Sequence, residues 1–335
     1  MTEKTKTFNS QNGSESLPLV IVNPKSAGGS TKSRWARTAS DLRAHFGAFN
    51  VKFTRKQGDA IEIAKEAANA GRKFIIACGG DGTLNEVANG ILESGAATEL
   101  GVLPSGTGGD FRRTLGINAE TRDAARDLRD GITKTIDVGR VSFVNHEGEK
   151  TSRYFLNVSS FGLSASINER VKKQNSLSWL PGATVRGKAS FALSTLQEVL
   201  ESEFVTVRVK IDDNEEKLLN TINFCVANSR YFGGGMKIAH DAQINDGFFD
   251  VVNIGDITTA KILFNAYKLY NGTHLDLAEV KSIRAKRIEV SPPEKNQKIY
   301  IETDGELPGR LPATFEILPL ALKVRVPKSD SRKNL

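Results

Sequence analysis

Three glycine-rich segments of this sequence could bind phosphate groups. They are 23–29 (NPKSAGG), 79–86 (GGDGTLNE) and 104–111 (PSGTGGDF), and each one follows a run of apolar residues. Glycines let the backbone approach a phosphate closely, and free amide groups at the start of a helix bind anions. One such cluster alone could be a tight turn, but three at the ends of strands predict a nucleotide site.

Side chains within these segments support the same interpretation. Ser26, Thr83 and Thr107 carry hydroxyl groups that could donate to phosphate oxygens. Asp81 would repel a phosphate unless it holds a cation or a proton, so it indicates either Mg²⁺ or a general base. The sequence contains neither a Walker A motif nor GxGxxG, so a standard P-loop or a standard dinucleotide site is not indicated.

Two acidic turns lie far from the glycine clusters in the sequence. They are 242–250 (AQINDGFFD) and 303–306 (TDGE), and both adjoin apolar, strand-like residues. An Asp-Gly pair is typical of a plain hairpin turn. From the residues alone, a structural and a functional role remain equally open for both turns.

The elements that must position the glycine clusters have the pattern of a parallel α/β layer. The short apolar runs 17–22, 73–78 and 99–104 each end at Gly or Pro, as buried parallel strands do. Between them, apolar residues recur at helical spacing near residues 61–68 and 84–92. This order of elements predicts a doubly wound α/β domain.

From about Asp137 the apolar residues recur at every second position instead. The segments 204–211, 286–291, 298–302 and 321–326 alternate in this way, which predicts an antiparallel sheet or sandwich. Helical patterns interrupt it near 187–201 and 258–270. In the second helix we expect a set of apolar side chains to be core, namely Ile262, Leu263, Ala266, Leu269 and Tyr270. Trp179, in the aromatic and basic stretch 176–188, could lie equally in the core or at a membrane interface.

Composition narrows the class of protein. The chain has 335 residues, of which 39% are hydrophobic and 25% charged, as in an ordinary globular protein. Residues 1–16 are polar, and no stretch reaches the roughly 20 apolar residues that span a bilayer, so we expect a soluble, cytoplasmic protein. Both cysteines lie in apolar runs without metal-ligand spacing. The net charge of +7 suits anionic lipid or polyphosphate, and no basic-aromatic motif supports nucleic-acid binding.

Taken together, the motifs resemble the diacylglycerol kinase catalytic-domain family, which includes bacterial diacylglycerol kinases, sphingosine kinases and ceramide kinases. The resemblance extends from about residue 17 to 326 and is carried by seven segments in family order: NPKSAGG (23–29), VKFTRKQGDAIEIAKEA (51–67), GGDGTLNEVANG (79–90), GTGGDFRR (106–113), FGLSA (161–165), MKIAHDAQINDGFFDVV (236–252) and TDGE (303–306). It implies an ATP- and Mg²⁺-dependent lipid kinase that contacts its lipid substrate peripherally at a membrane surface. Homodimers are common among such relatives.

The resemblance also implies a fold and its boundaries. An α/β nucleotide-binding domain would cover 17–136 and would also include a strand at about 312–328, where the chain returns to it. A β-rich, sandwich-like lipid-substrate domain would cover 137–311, and the active site would lie in the cleft between them. Flexible tails would occupy 1–16 and 329–335.

Site residues carry over by position within the matching motifs. The ATP-facing set is Asn23, Lys25, Ser26, Thr54, Gly80, Asp81, Gly82, Thr83 and Thr107, with Glu86 and Asp110 as polar partners. Asp246 corresponds to a structural metal ligand, assisted by main-chain oxygens near Gln243 and Phe248. Asp304 corresponds to the catalytic base and Glu306 to its acidic neighbour, although some relatives give the base role to the position of Asp81.

Two positions depart from the family pattern, and two other functions share parts of it. Gly109 stands where the family usually has Asn, and His240 stands where Pro is usual. NAD kinase and phosphofructokinase also use a GGDG turn, but the rest of their patterns is missing here. A catalytically inactive lipid- or nucleotide-binding module is the remaining alternative, and the retained acidic residues argue against it.

Overall fold

The computed structural model describes residues 17–106, 108–173, 204–294 and 296–328. Within these ranges the helices are α1 (Ser30–His45), α2 (Asp59–Asn69), α3 (Asp81–Ser94), α4 (Asp110–Leu115), α5 (Thr121–Asp130), α6 (Leu163–Lys173) and α7 (Thr259–Asn271), with 3-10 turns at Ser26–Gly29 and Thr273–Asp276. The strands are β1 (Leu19–Val22), β2 (Asn50–Phe53), β3 (Phe74–Gly79), β4 (Glu99–Pro104), β5 (Ile132–Val144), β6 (Lys150–Phe155), β7 (Val158–Gly162), β8 (Val205–Ile211), β9 (Lys217–Thr221), β10 (Asn223–Ala227), β11 (Phe249–Ile254), β12 (Val280–Ala285), β13 (Arg287–Ser291), β14 (Tyr300–Thr303) and β15 (Glu306–Val326).

The first half is a parallel sheet with the strand order β2-β1-β3-β4. Strands β1, β3 and β4 are buried along nearly their whole length, which explains their unbroken apolar sequences. Each of β1, β3 and β4 ends directly before one of the glycine-rich segments. Because parallel strands present their carboxyl ends at one edge, the three segments meet there.

The second half is an antiparallel sandwich. One layer has the order β12-β11-β10-β7-β14-β15, and the other contains β9, β8, β13, β15, β5 and β6. Inward-facing residues of both layers form a continuous apolar core. Within it the rings of Phe155 and Phe249 stack at 5.6 Å, and those of Phe161 and Phe224 stack at 5.0 Å. The predicted α/β plus β-sandwich fold is confirmed.

Strand β15 belongs to both halves. Its beginning pairs with β14, its middle with β13, and nearly all of it with β5. Its last residues, Lys323 and Val324, lie parallel to Glu99 and Leu100 of β4. The 21-residue strand is longer than the returning segment that the family pattern implies.

The expectation that the apolar face of α7 is core is wrong for Leu263, Ala266 and Tyr270, whereas Leu269 is half-buried against a core cluster. No residue of this helix is buried, and Leu263 and Tyr270 are exposed. Helical periodicity identifies an apolar face but does not say whether protein covers it. The stretch 176–188 with Trp179, and the predicted helix near 187–201, lie outside the described residues. Among the helices that are described, none is long and apolar enough to cross a bilayer.

Candidate active site

Two of the glycine-rich segments are in direct backbone contact. A Cβ atom on Gly106 would lie 2.4 Å from the Cα of Gly80. The two loops can therefore approach this closely only because residue 106 has no side chain. The amide of Ser105 donates to the Gly79 carbonyl at 2.9 Å. The loops after β3 and β4 therefore form one surface at the edge of the sheet.

Hydroxyl and amide side chains join the third segment to this surface. Asn23 Nδ2 donates to Thr83 Oγ1 at 3.0 Å. The Ser26 hydroxyl lies 2.6 Å from Thr31 Oγ1, which lies 2.6 Å from Ser105 Oγ. The structure thus brings together Asn23, Ser26 and Thr83 as predicted. Sequence reasoning missed the buried Thr31, because nothing in a helix start marks which hydroxyl faces a neighbouring loop.

Asp81 faces the beginning of α4. Its Oδ2 accepts from the amides of Gly109 at 2.7 Å and Asp110 at 3.3 Å, and its Oδ1 accepts from the amide of Phe111 at 3.4 Å. A carboxylate at this end of a helix satisfies free amides and is stabilised by the helix dipole. Gly109 has a φ of 72°, so glycine suits this turn better than most residues.

A cleft of about 300 Å³ opens beside these loops, lined by Gly79, Gly80, Asp81, Ser105, Gly106, Gly108 and Gly109 together with Arg34, Arg112 and Arg113. Arg113 donates to Asp110 Oδ1 at 2.8 Å and to the Gly108 carbonyl at 2.7 Å. Arg34 and Arg112 were missed, because arginines in helices are ordinarily solvated. Lys25 is exposed and lines a separate groove beside Trp35 and Phe53.

Asp304 lies in the tight turn between β14 and β15. Its Oδ1 accepts from the amides of Asn157 at 2.9 Å and Val158 at 3.1 Å, and its Oδ2 accepts from Leu156 at 2.8 Å and from Asn85 Nδ2 at 2.7 Å. Burial raises the pKa of Asp304 to about 6, although these donors act in the opposite direction. Asn85 belongs to α3, so this carboxylate joins the two halves.

Glu306 lies beside the same helix, and within the described part of the chain the partners of its carboxylate are side chains. Gln57 Nε2 donates to its Oε1 at 2.9 Å, and Arg153 donates to its Oε2 at 2.7 Å. A Cβ on Gly82 would lie 3.9 Å from Glu306 Oε1, so the carboxylate faces the first turn of α3. Gln57 and Arg153 were missed, because each is far from Glu306 in the chain.

Glu86 points away from the glycine loops, toward the start of α2. Its oxygens accept from the amides of Gly58 at 3.0 Å and Ala60 at 3.3 Å. Burial raises the pKa of Glu86, and the two amides partly offset the effect. Thr54, also buried, directly follows β2, and its amide donates to the Val22 carbonyl at 2.9 Å. Thr107 lies outside the described residues.

The predicted metal loop lies apart from the phosphate cleft. Asp246 Oδ1 accepts from the Phe248 amide at 3.1 Å, and its Oδ2 pairs with Arg284. The Arg284 guanidinium also lies 4.4 Å from the centre of the Phe248 ring, while Gln243 is exposed. A divalent cation at Asp246 would have to displace this arginine, so the residues as arranged do not fit a bound metal. Among the described residues, no group of three His, Cys, Asp or Glu could hold a metal ion.

Comparisons with known proteins agree with this architecture. Residues 18–141 match the family model of the diacylglycerol kinase catalytic domain, and residues 157–326 match that of the YegS C-terminal NAD kinase beta sandwich-like domain. A diacylglycerol kinase of Bacillus subtilis is 29% identical, covering 94% of this chain and 97% of that protein. A diacylglycerol kinase of Staphylococcus epidermidis is 30% identical, covering 84% and 83%.

A solved structure has the same arrangement. The crystal structure of a Bacillus anthracis protein proposed to be a diacylglycerol kinase is 25% identical, with a TM-score of 0.71, and covers 94% of this chain and 98% of that one. The protein thus has an α/β half, whose glycine-rich loops contact each other, and a β-sandwich that contributes carboxylates. With the matches above, this architecture defines the class of the protein as a lipid kinase. The chain belongs to the diacylglycerol kinase family.

The raised pKa of Asp304 predicts a pH-dependent contribution to stability. Because its folded pKa of about 6 exceeds the ordinary value of 3.8, the folded state binds the proton more tightly than the unfolded state. The free energy of unfolding, measured against Asp304→Asn, should therefore fall as the pH rises from about 4 to about 6, and stay level above that. The fall should approach about 3 kcal/mol, because each pKa unit corresponds to about 1.4 kcal/mol. Urea denaturation of both proteins across this range measures it, and a constant difference would contradict the assignment.

The Asp246–Arg284 ion pair predicts how magnesium affects the protein without nucleotide. Wild-type protein should melt at the same temperature in magnesium chloride as in sodium chloride of equal ionic strength. Arg284→Met frees the Asp246 carboxylate, so its melting temperature should rise with added magnesium. Arg287→Met, which removes a neighbouring arginine paired with Glu289 and Glu316, is the control. Magnesium-specific stabilisation of the wild type would instead support the metal site that the family pattern implies.

Proposed function

We propose that the protein transfers the γ-phosphoryl group of ATP to the free hydroxyl of diacylglycerol. One observation carries this proposal: the Asp304–Glu306 turn of the sandwich lies against the first turns of α3, the helix that follows the GGDG loop. Asn85 of α3 contacts Asp304, and Gly82 faces Glu306. The carboxylates of the sandwich therefore lie against the helix that begins in the proposed phosphate-binding loop. Relatives named diacylglycerol kinase supply the substrate class.

The fused glycine loops suit the phosphates of the nucleotide. Their backbone can approach an anion closely, and Arg112 and Arg113 line the same cleft. Bound with the nucleotide, Mg²⁺ would neutralise charge on the phosphate oxygens, and we assign no protein ligand to it. Asp81 acts by holding the amides of α4, which fixes the loop after β4 against the GGDG loop. Positioning and charge neutralisation supply most of the catalysis in phosphoryl transfer.

The family pattern gives the base role to Asp304 or to the position of Asp81, but their acidic neighbour Glu306 is better placed to accept the proton. Each oxygen of Asp304 accepts two donors, including three backbone amides that cannot move away. Asp81 accepts from three backbone amides. Among the residues that the structure describes, Glu306 has only the flexible side chains of Gln57 and Arg153 as partners, so one oxygen can turn toward an incoming hydroxyl.

The proposed reaction transfers one phosphoryl group to the lipid and one proton to the protein. The lipid hydroxyl oxygen attacks the γ-phosphorus, the bond from that phosphorus to the β–γ bridging oxygen breaks, and ADP leaves. Glu306 accepts the hydroxyl proton, and Arg153 stabilises the charge of Glu306 before transfer. Asp304 is a positioning residue in this scheme, because it holds the backbone of 156–158 and Asn85. Diacylglycerol resides in bilayers, so the protein must contact a membrane surface peripherally.

A direct assay tests the proposed function. The purified protein is incubated with Mg²⁺ and γ-labelled ATP against diacylglycerol, sphingosine and ceramide in mixed micelles, with NAD as a separate acceptor. We expect label on diacylglycerol alone. Label on a sphingoid lipid would change the substrate, and label on NAD alone would move the protein to NAD kinase chemistry. ATP binding without transfer to any acceptor would favour the inactive binding module.

The base assignment predicts distinct effects of two substitutions. Glu306→Gln should lower kcat by about 100-fold or more, because it removes the proton acceptor, and should leave the melting temperature and the KM for ATP nearly unchanged. The exposed Glu289, which pairs with Arg287 away from the cleft, provides the control variant Glu289→Gln. Full turnover in Glu306→Gln would contradict the assignment of the base to Glu306.

A further inference from the structure

The outer face of α7 consists of four large apolar side chains. They are Leu263, Phe264, Tyr267 and Tyr270, which are 43%, 86%, 59% and 54% exposed. Their spacing of one, four and seven residues places them along one side of the helix. Single exposed apolar residues are ordinary, but a contiguous row of four marks an interaction surface.

The helix that carries this face is well anchored on its other side. Thr258 Oγ1 accepts from the Lys261 amide at 3.4 Å at the beginning of the helix, and Gly272 ends it with a φ of 82°. Leu269 packs against the apolar cluster around Cys225 and Ile238. The exposed row is therefore a property of a folded helix and is not a result of fraying.

The chemistry of the outer face suits the surface of an anionic bilayer. Tyrosine and phenylalanine rings settle at the boundary between headgroups and acyl chains, where a hydroxyl tip stays hydrated. The helix contains two lysines, Lys261 and Lys268, and no carboxylate. Although Lys261 pairs with Glu279 of a neighbouring segment, Lys268 and the chain's net charge of +7 favour anionic lipid.

One loop connects this helix to the phosphate cleft. At one end of the loop, the Gly234 amide donates to Asp110 Oδ2 at 2.8 Å, at the start of α4. At the other end, the Lys237 amide donates to the Leu269 carbonyl of α7 at 2.7 Å. His240, further along, packs against Gly272 at the end of α7. A surface bound to α7 is thus held at a defined distance from the glycine loops.

We propose that the outer face of α7 is the lipid-docking surface of the protein and rests on anionic membrane. Its role in presenting lipid to the cleft rests on the proposed kinase function, whereas its binding to membrane does not. A second copy of the chain is the poorer occupant. A two-fold pairing would set this helix, which contains two lysines and no carboxylate, against its own copy, whereas anionic headgroups would complement it.

Vesicle sedimentation of the full chain tests the proposal. The vesicles contain either phosphatidylcholine alone or equal parts of phosphatidylcholine and phosphatidylglycerol. The double variant Phe264→Gln and Tyr267→Gln removes the centre of the outer face. The control is Leu218→Gln, which alters an apolar side chain of β9 that is 67% exposed and lies outside α7. Thermal melts establish that each protein is folded.

We expect wild type and Leu218→Gln to bind the anionic vesicles more tightly than the neutral ones. The double variant should bind them about tenfold or more weakly, because it loses two inserted apolar side chains. Equal binding by the double variant and the control would overturn the proposal, as would equal binding to both kinds of vesicle. A wild-type dimer that the double variant converts to monomer would make the face a contact between copies. If vesicles bind but no lipid is phosphorylated, the kinase function fails and the docking surface stands.

Discussion

The arrangement of the site depends on one strand that belongs to both halves of the molecule. β15 begins at Glu306 in the sandwich and ends parallel to β4 of the α/β sheet. Arg325 secures that end: it pairs with Glu99 of β4, and its guanidinium lies 4.8 Å from the centre of the Phe74 ring of β3. Since the turn that carries Asp304 directly precedes β15, any shift of this strand would move the carboxylates away from α3. The distance between these carboxylates and α3 is therefore set by sheet hydrogen bonds.

A buried carboxylate, Asp137, stabilises the point where this strand changes register. Its Oδ1 accepts from the Leu320 amide and its Oδ2 from the Gly247 amide, both at 2.7 Å. The Asp137 amide in turn donates to the Ile244 carbonyl at 2.7 Å. The acidic loop 242–250 is thus tied to β5 and β15 by a side chain of the protein itself. This explains how the loop can be ordered while Arg284 neutralises Asp246.

Sequence patterns predicted the features that depend on residues close together in the chain, such as buried strands and glycine-rich loops. The runs 73–78 and 99–104 became β3 and β4 nearly residue for residue, because buried parallel strands need unbroken apolar sequence. The position of the glycine loops followed from these strands. Neither Asp137 nor Arg153 could be recognised, because their partners lie 110 and 153 residues away. Nor could periodicity distinguish an apolar face covered by protein from one left open, as α7 demonstrates.

The carboxylates differ in their roles because some accept from backbone amides at helix starts and one accepts from side chains. Asp81 accepts from the amides of α4, which line the cleft, and Glu86 accepts from those at the start of α2, on the side away from the glycine loops. Without such carboxylates, bringing these helix starts together would leave several amides without acceptors, at a cost of about 1–3 kcal/mol each where they are buried. The helix dipoles stabilise their negative charge, and in the proposed function the glycine amides and arginines attract the phosphates. Glu306 differs because its partners are side chains, and a carboxylate held by movable groups can exchange one of them for a substrate hydroxyl.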